Sequence, residues 1–220
     1  MSKSKVAVEH MELRAKNVLF SKPDTTMTIH RMVCNSNYLS VFDEAYITVQ
    51  DLLLTTEESG RGLVVELSSS AQIEVTSNLT METVNASIAV RLSKSARLVA
   101  TGSAVMHMTE LSLVSASTFL ANQSSVSVSI LLVNSSNLVG DVMVVNGTDL
   151  NGCNAKLADF AEVKLASLMI SSTPLLDHCA FVMQRGALYK SSSLAFDGKS
   201  PRAASHKPPA YPALMPALVL

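Results

Sequence analysis

The stretch from Ser68 to Val145 decides the fold: SSSAQIEVTSNLTMETVNASIAVRLSKSARLVATGSAVMHMTELSLVSASTFLANQSSVSVSILLVNSSNLVGDVMVV. Within each short segment apolar residues recur at every second position, as in Ile73 and Val75, and Ser, Asn, Thr or Gly separate the segments. Period-two alternation is typical of β-strands, and these small polar residues favour turns. The stretch therefore predicts many short strands joined by corners.

A longer repeat overlies this alternation. Leu67–Val75 (LSSSAQIEV) is echoed 25 residues later by Leu92–Ala100 (LSKSARLVA), and weaker echoes place Phe119 21 residues after Leu98 and Leu138 19 residues after Phe119. Repeats of this length are typical of solenoids, and three short strands with three corners fill one such coil. The sequence therefore predicts an all-β fold, a single-stranded, right-handed parallel β-helix with irregular coils of about 20–25 residues.

Three segments are expected along the chain: a leading segment over 1–45, the β-helix over 46–197 and a Pro-rich, disordered tail over 198–220. Residues 6–20 fit either a strand or a capping helix, and the strand is slightly favoured by the period-two pattern. Residues 57–62 form a loop that fits either a boundary between the leading segment and the regular coils or a protrusion from one corner, and the protrusion is favoured. Because the tail offers no apolar face to cover the last coil, we expect end-to-end self-association and a chain that is a piece of a longer solenoid.

Composition and charge narrow the classes of function. The chain has 220 residues, of which 48% are hydrophobic and 5% aromatic, and its formal net charge is −1. The chain therefore lacks the excess of Lys and Arg that is typical of nucleic-acid-binding proteins. Residues 111–140 carry no charge, but Ser, Asn and Gln interrupt them too often for a membrane span, which needs about 20 mostly apolar residues. Met1–Lys5 lacks the features of a secretory signal peptide.

Metal and cofactor motifs are incomplete. The H-x-E pattern of His10 and Glu12 lacks the P-C-x-x-C that a zinc deaminase requires. Cys153, His178 and Cys179 do not form the close ligand pairs of a structural zinc site. Three cysteines give no disulfide framework, although a single bridge stays open. No metal site and no cofactor are therefore predicted.

Candidate catalytic acids are scattered. Glycosidases need two carboxylates across one bond, and lyases of this architecture use an acidic calcium cluster with a nearby Arg or Lys. The acids of the repeats are solitary in sequence: Glu66, Glu74, Glu82, Glu110, Asp141 and Asp149. Arg91 and Arg97 are expected near Glu66 and Glu74 on the next coil, as surface ion pairs. We therefore predict no catalytic residues.

Five N-x-[ST] acceptors for N-glycosylation occur in the chain. Their asparagines are Asn78, Asn85, Asn122, Asn134 and Asn146. Asn and Ser also co-occur because both favour corners, which explains part of this number. The remainder favours a secreted or cell-surface glycoprotein, processed as part of a larger precursor, with the acceptors facing solvent.

The Ser-, Val- and Leu-rich repeats with scattered acceptors, such as SSSAQIEV, SKSARLVA and NSSNLVG, resemble pectin-lyase-like β-helix surface proteins. The dispersed gene family of trypanosomatid surface proteins is similar in composition and repeat pattern over Tyr46 to Phe196. Those proteins are very large and end in membrane segments, whereas this chain is short. The resemblance implies a surface role in adhesion or host contact, with no catalytic residues to carry over, and this departure from the family argues against membrane attachment through this chain.

Two classes of function follow. The first is a non-enzymatic surface or structural solenoid that presents a Ser/Asn/Thr-rich face to a protein or glycan, without nucleic acid as a partner. The second is a carbohydrate-active β-helix enzyme, either a polysaccharide lyase or a hydrolase. Carboxylates and an Arg gathered in one groove favour the enzyme, and scattered acids favour the solenoid.

Overall fold

The computed structural model describes residues 4–21, 25–56, 62–83, 86–147, 155–172, 181–184 and 186–197. These residues contain sixteen strands and no helix, so residues 6–20 are strands, as favoured. None of the described residues forms a helix able to cross a bilayer. The tail over 198–220 and most of the loop over 57–62 lie outside the described residues.

The strands follow one another with short corners between them. Their bounds are β1 (Ser4–Arg14), β2 (Asn17–Ser21), β3 (Thr25–Asn35), β4 (Tyr38–Phe42), β5 (Tyr46–Thr56), β6 (Leu63–Leu67), β7 (Gln72–Thr83), β8 (Ile88–Leu92), β9 (Arg97–Ala100), β10 (Ser103–Leu113), β11 (Thr118–Asn134), β12 (Asn137–Gly147), β13 (Ala155–Ala158), β14 (Glu162–Ser172), β15 (Phe181–Met183) and β16 (Leu188–Asp197). Long strands bend around corners and serve more than one face, and β11 contributes to all three faces of the solenoid.

Every strand pairing in the described part of the chain is parallel, which confirms the predicted parallel β-helix. Each coil contributes one segment, or rung, to each of three faces. The central rungs of the first face are 46–49, 72–75, 97–100, 118–121, 137–140 and 162–165. Those of the second face are 51–56, 78–83, 103–108, 124–128, 142–147 and 167–172. Those of the third face are 38–42, 63–67, 88–92, 110–113, 130–134 and 155–158.

The register agrees with the sequence echoes. Ile73 pairs with Leu98, Leu98 with Phe119, and Phe119 with Leu138. Residues that are equivalent in the repeat therefore stack directly above one another along the solenoid. All three echoes are confirmed.

One corner explains the recurring Ser-Ala signature. Ser69 and Ser70 have φ angles of 55° and 63°, and Lys94 and Ser95 have φ angles of 52° and 65°. Two consecutive residues with positive φ are characteristic of a type I′ turn. The Ser70 amide donates to the Lys94 carbonyl of the next coil at 2.8 Å, so stacked turns bond to one another. The residue after each corner of this kind is small and buried: Ala45, Ala71, Ala96, Ser117 and Ala161. The buried Ser136 follows a corner with the single positive-φ residue Ser135.

The core is a narrow tube filled by stacked columns of side chains. The column that runs through the first face is almost fully buried over six coils: Ile47, Ile73, Leu98, Phe119, Leu138 and Val163. Phe119 is the largest of these side chains. A tube of this width suits aliphatic side chains, which accounts for the low aromatic content.

Candidate functional site

The third face carries a chain of polar side chains on neighbouring rungs. The Tyr38 hydroxyl donates to the Glu66 carboxylate, and Glu66 lies directly opposite Arg91 in the register. Arg91 in turn donates from Nε and Nη2 to the two carboxylate oxygens of Glu110, at 3.0 and 2.9 Å. The expected proximity of Glu66 and Arg91 is confirmed, but the bidentate partner of Arg91 is Glu110.

The electrostatics of this cluster keep the Arg91 guanidinium protonated and the Tyr38 hydroxyl neutral at neutral pH. The hydrogen bonds and charge of Glu110 raise the pKa of Arg91 further, so the guanidinium stays protonated and does not serve as a general base. The hydrogen bond to Glu66 raises the pKa of Tyr38, so its hydroxyl remains a donor. The arrangement therefore links coils to one another rather than generating a reactive group.

The first face holds a second, smaller polar pair. The Tyr46 hydroxyl donates to Glu74, which is the main reason that the pKa of Tyr46 is raised. Arg97 pairs in the register with Gln72, and Glu74 pairs with Val99, so Glu74 and Arg97 are not directly opposite one another. The positive charge of Arg97 slightly lowers the pKa of Tyr46.

Titration of the tyrosines tests these contacts. We expect Tyr38 and Tyr46 to ionise above the ordinary value of about 10, because each hydroxyl donates to a carboxylate. A raised pKa in the folded state stabilises the protein below the unfolded pKa, and that stability is lost as the pH rises through the folded pKa. The phenolate difference spectrum should lose one high-pH transition in Tyr38→Phe. Glu66→Gln, which keeps the shape but removes the charge, should move that transition toward lower pH, and an unchanged transition contradicts the assignment.

The remaining candidate acids do not join either cluster. Glu82 is exposed on the second face, and Asp141 lies at the corner between the first and second faces, where its backbone amide donates to Ser124 Oγ at 3.2 Å. Asp149 lies outside the described residues. Of the candidate acids that the structure describes, Glu66 and Glu110 are therefore the two that lie next to the same arginine, Arg91.

A shallow depression of about 290 Å³ opens on the second face. Its polar lining consists of Arg31, Asp51 and Asn78, and Leu53 and Thr80 lie beside them. Asn78 Nδ2 donates to Asp51 Oδ1 at 2.6 Å. The depression thus combines a guanidinium, a carboxylate and an amide with an aliphatic neighbour.

The sequence did not predict this depression because an irregularity in β7 creates it. Val49 pairs with Val75, but Asp51 pairs with Asn78, so β7 has one extra residue at this corner. Such a bulge redirects the side chains that follow it. The simple 25-residue echo does not contain this offset.

A strip without Asp, Glu, Lys or Arg continues along the second face beyond the depression, and the exposed His107 borders it opposite Ser127. We call it the serine strip; it consists of Ser103, Ser125, Ser127, Ser167, Val105, Val142, Val144 and Met169. These side chains alternate with buried core residues and point outward. Val105, Val142 and Met169 are among the exposed large hydrophobic residues. The strip therefore presents hydroxyls and apolar groups side by side.

The glycosylation acceptors lie in different surroundings. Asn78 and Asn122 are exposed, and Asn134 is half-buried. Asn85 lies outside the described residues, as does the side chain of Asn146. Use of these acceptors stays a prediction.

The residues weighed as metal ligands give no cluster where they are described. His10 and Glu12 are exposed on β1, while Cys153, His178 and Cys179 lie outside the described residues. No group of three or more His, Cys, Asp or Glu side chains suited to a metal ion occurs in the described ranges. Cys34 is buried against Ser36, and burial raises the pKa of its thiol.

The chain was compared with known proteins at three levels. No protein-family model, no curated protein and no solved structure matches it. The resemblance to pectin-lyase-like surface proteins stays a prediction, and the function is inferred from the residues of this chain alone.

Proposed function

We propose that this chain is a non-enzymatic surface or structural β-solenoid whose second face contacts a protein or a glycan. The observation that carries the proposal is the serine strip, an outward surface without Asp, Glu, Lys or Arg that spans neighbouring rungs. Parallel sheets are usually covered on both faces, so an outward surface with exposed Val105, Val142 and Met169 suits a partner that covers it.

The chemistry of the strip fits a ligand with many hydroxyl or amide groups. Serine hydroxyls both donate and accept hydrogen bonds and rotate to suit a partner. Rungs of a sheet repeat every 4.7–4.9 Å or so, which gives an extended ligand regularly spaced contacts. Ser193 Oγ already donates to Ser167 Oγ at 2.9 Å between two rungs, which shows that hydroxyls on this face reach one another.

The depression beside the strip adds a place where a sugar ring fits. Asp51 retains an oxygen beyond the one that accepts from Asn78, and the Arg31 side chain is exposed next to it. Carboxylate, amide and guanidinium groups bond well to vicinal hydroxyls. Leu53 and Thr80 supply apolar contact for the ring face.

Binding measurements with a charge-inserted variant test this proposal. The wild-type chain is screened by surface-based binding against an array of neutral and acidic glycans and against extracellular-matrix proteins. Ser125→Lys places a bulky charge in the serine strip, and we expect it to weaken any binding that the screen detects by at least about tenfold, as for the loss of a central contact. The matched control is Asn137→Lys, which places the same charge at an exposed position of the first face.

The two variants separate the possible outcomes. Loss of binding in Ser125→Lys with full binding in Asn137→Lys supports contact through the second face. Equal loss in both variants, or binding that neither change affects, places the contact elsewhere. A wild-type chain that binds nothing on either array contradicts the role as a binding surface.

We further propose a cell-surface or secreted, adhesive role. The exposed Asn122 side chain supports it, because glycosylation requires an asparagine that faces solvent. The adhesive role also agrees with the resemblance to pectin-lyase-like surface proteins. Neither point identifies the ligand.

The second candidate function, a carbohydrate-active enzyme, is favoured by one observation. Glu66 and Glu110 lie on either side of Arg91, which is a combination that polysaccharide-cleaving enzymes use. However, both oxygens of Glu110 are occupied by Arg91, and the raised pKa of Arg91 opposes a role as base.

We therefore expect no turnover of polygalacturonate or similar acidic glycans, with or without calcium. The assay measures the absorbance of unsaturated oligosaccharides and the appearance of reducing ends. Robust product formation that disappears in Glu110→Gln, with Glu82→Gln as the control acid on another face, would establish the enzyme and overturn the non-enzymatic proposal.

A further inference from the structure

The two ends of the described solenoid leave core columns uncovered. Leu194 belongs to the column that contains Leu168, and Leu168 is 1% exposed whereas Leu194 is 38% exposed. At the other end, Val6 belongs to the column of Ile47, and Val6 is 43% exposed whereas Ile47 is 2% exposed. No described residue continues either column, so both ends expose apolar groups of the interior type.

The edge strand β2 lacks the usual protection against pairing with another chain. Edge strands are normally blunted by charged residues or proline. The sequence of β2 is Asn-Val-Leu-Phe-Ser, without charge, and Leu19 is 62% exposed. At the C-terminal end of the described solenoid, the last strand of the third face is β15, whose sequence Phe-Val-Met is also uncharged.

The two ends also have matching columns. Following the register coil by coil, Phe20 of β2 lies in the same column as Met183 of β15. Leu13 of β1 likewise shares a column with Leu194 of β16. If the last coil of one copy pairs with the first coil of another, apolar side chains therefore meet apolar side chains in each of these columns.

We propose that the occupant of each end is a second copy of this chain, docked head to tail so that β15 and β16 of one copy pair in parallel with β2 and β1 of the next. The pairing satisfies the backbone groups of both edges and buries the exposed ends of the columns. Because the two surfaces differ, the contact is heterologous and does not close, so it generates linear assemblies that grow with concentration. This inference does not depend on the proposed role of the second face.

Sedimentation velocity and light scattering on the full chain test the proposal. The average mass of the wild-type chain should rise steadily with concentration. Val6→Lys places a charge in the exposed core column at one end and Leu194→Lys does so at the other end, and each should weaken assembly by at least about tenfold. Phe160→Lys is the control, since Phe160 is 80% exposed but lies at a lateral corner of the solenoid.

Mixing the two blocked variants gives the sharpest result. Each retains one competent end, so an equimolar mixture should form dimers of unlike copies and nothing longer. Circular dichroism of each variant confirms that it remains folded. The proposal is overturned by a wild-type chain that stays monomeric at high concentration, which is the outcome expected if residues 198–220 cover the last coil. It is equally overturned if Phe160→Lys abolishes assembly or if either blocked variant alone still forms long assemblies.

Discussion

Replacing Gly102 by alanine is expected to destabilise the solenoid by at least about 3 kcal/mol, at the upper end of the cost of overpacking. Gly102 lies at the corner between the first and second faces and stacks against Ser77 of the preceding coil. A Cβ atom at position 102 would lie 2.1 Å from the Ser77 carbonyl oxygen and 2.8 Å from its carbonyl carbon. These are backbone atoms at the corner between rungs 72–75 and 78–83, so a rotamer change does not relieve the clash. Chemical denaturation monitored by circular dichroism measures the effect.

Gly140→Ala is the matched control for this substitution. A Cβ at position 140 would meet Leu165 Cδ2 at 3.1 Å and Ser124 Oγ at 3.5 Å, and both are atoms of side chains. Small movements of these groups accommodate the methyl group, so we expect a change of less than about 1 kcal/mol. Similar effects of the two substitutions would show that the corners of neighbouring coils are not held as closely as the structure indicates.

The fold was predictable because each coil repeats the same local structure of strands and corners. The Ser-Ala corners and the alternating residues that follow them, as in Leu67–Val75 and Leu92–Ala100, encode both the turn and the register. When repeats stack on one another, residues at equivalent positions of the repeat also lie next to one another in space. The echoes therefore predicted the pairing of Leu98 with Phe119 to the residue.

The candidate sites were less predictable because they arise where the repeat is irregular. The extra residue in β7 brings Asn78 opposite Asp51, and a further irregularity between Ala121 and Ser125 sets where the serine strip lies relative to the first face. Insertions of one or two residues at a corner leave the hydrophobic alternation intact on both sides. Alternation alone therefore does not reveal which outward residues become neighbours.

The partner of Arg91 shows a second reason. The register placed Glu66 directly opposite Arg91, as the sequence predicted. Glu110 pairs with Ala89, two residues away along the rung, yet the arginine side chain reaches it diagonally. Long side chains contact diagonal neighbours as readily as direct ones. Choosing between two such carboxylates requires side-chain geometry, which a sequence pattern does not contain.

Replacing Phe119 by alanine is expected to destabilise the chain by about 3–5 kcal/mol, the usual cost of removing a buried aromatic ring. Phe119 is 1% exposed and stacks between Leu98 and Leu138 in a single column. The neighbouring coils are held by their own backbone ladders, so they do not collapse far into the space. Phe119→Leu matches the side chains above and below it, and it should cost well under half as much, in keeping with the smaller volume lost.

Phe160→Ala serves as the control for the loss of a phenyl ring. Phe160 follows Asp159 in the same kind of left-handed corner, with a φ angle of 64°, and is 80% exposed. Its removal takes little apolar surface out of the core, so we expect a change within about 0.5 kcal/mol. Because each coil contributes a single side chain to this column, the cavity left in Phe119→Ala lies directly between the coils of Leu98 and Leu138. Hydrogen exchange should therefore quicken in β9 and β12, which flank it, more than in the distant β3. Uniform quickening over the whole chain would instead show that the solenoid unfolds as a single unit.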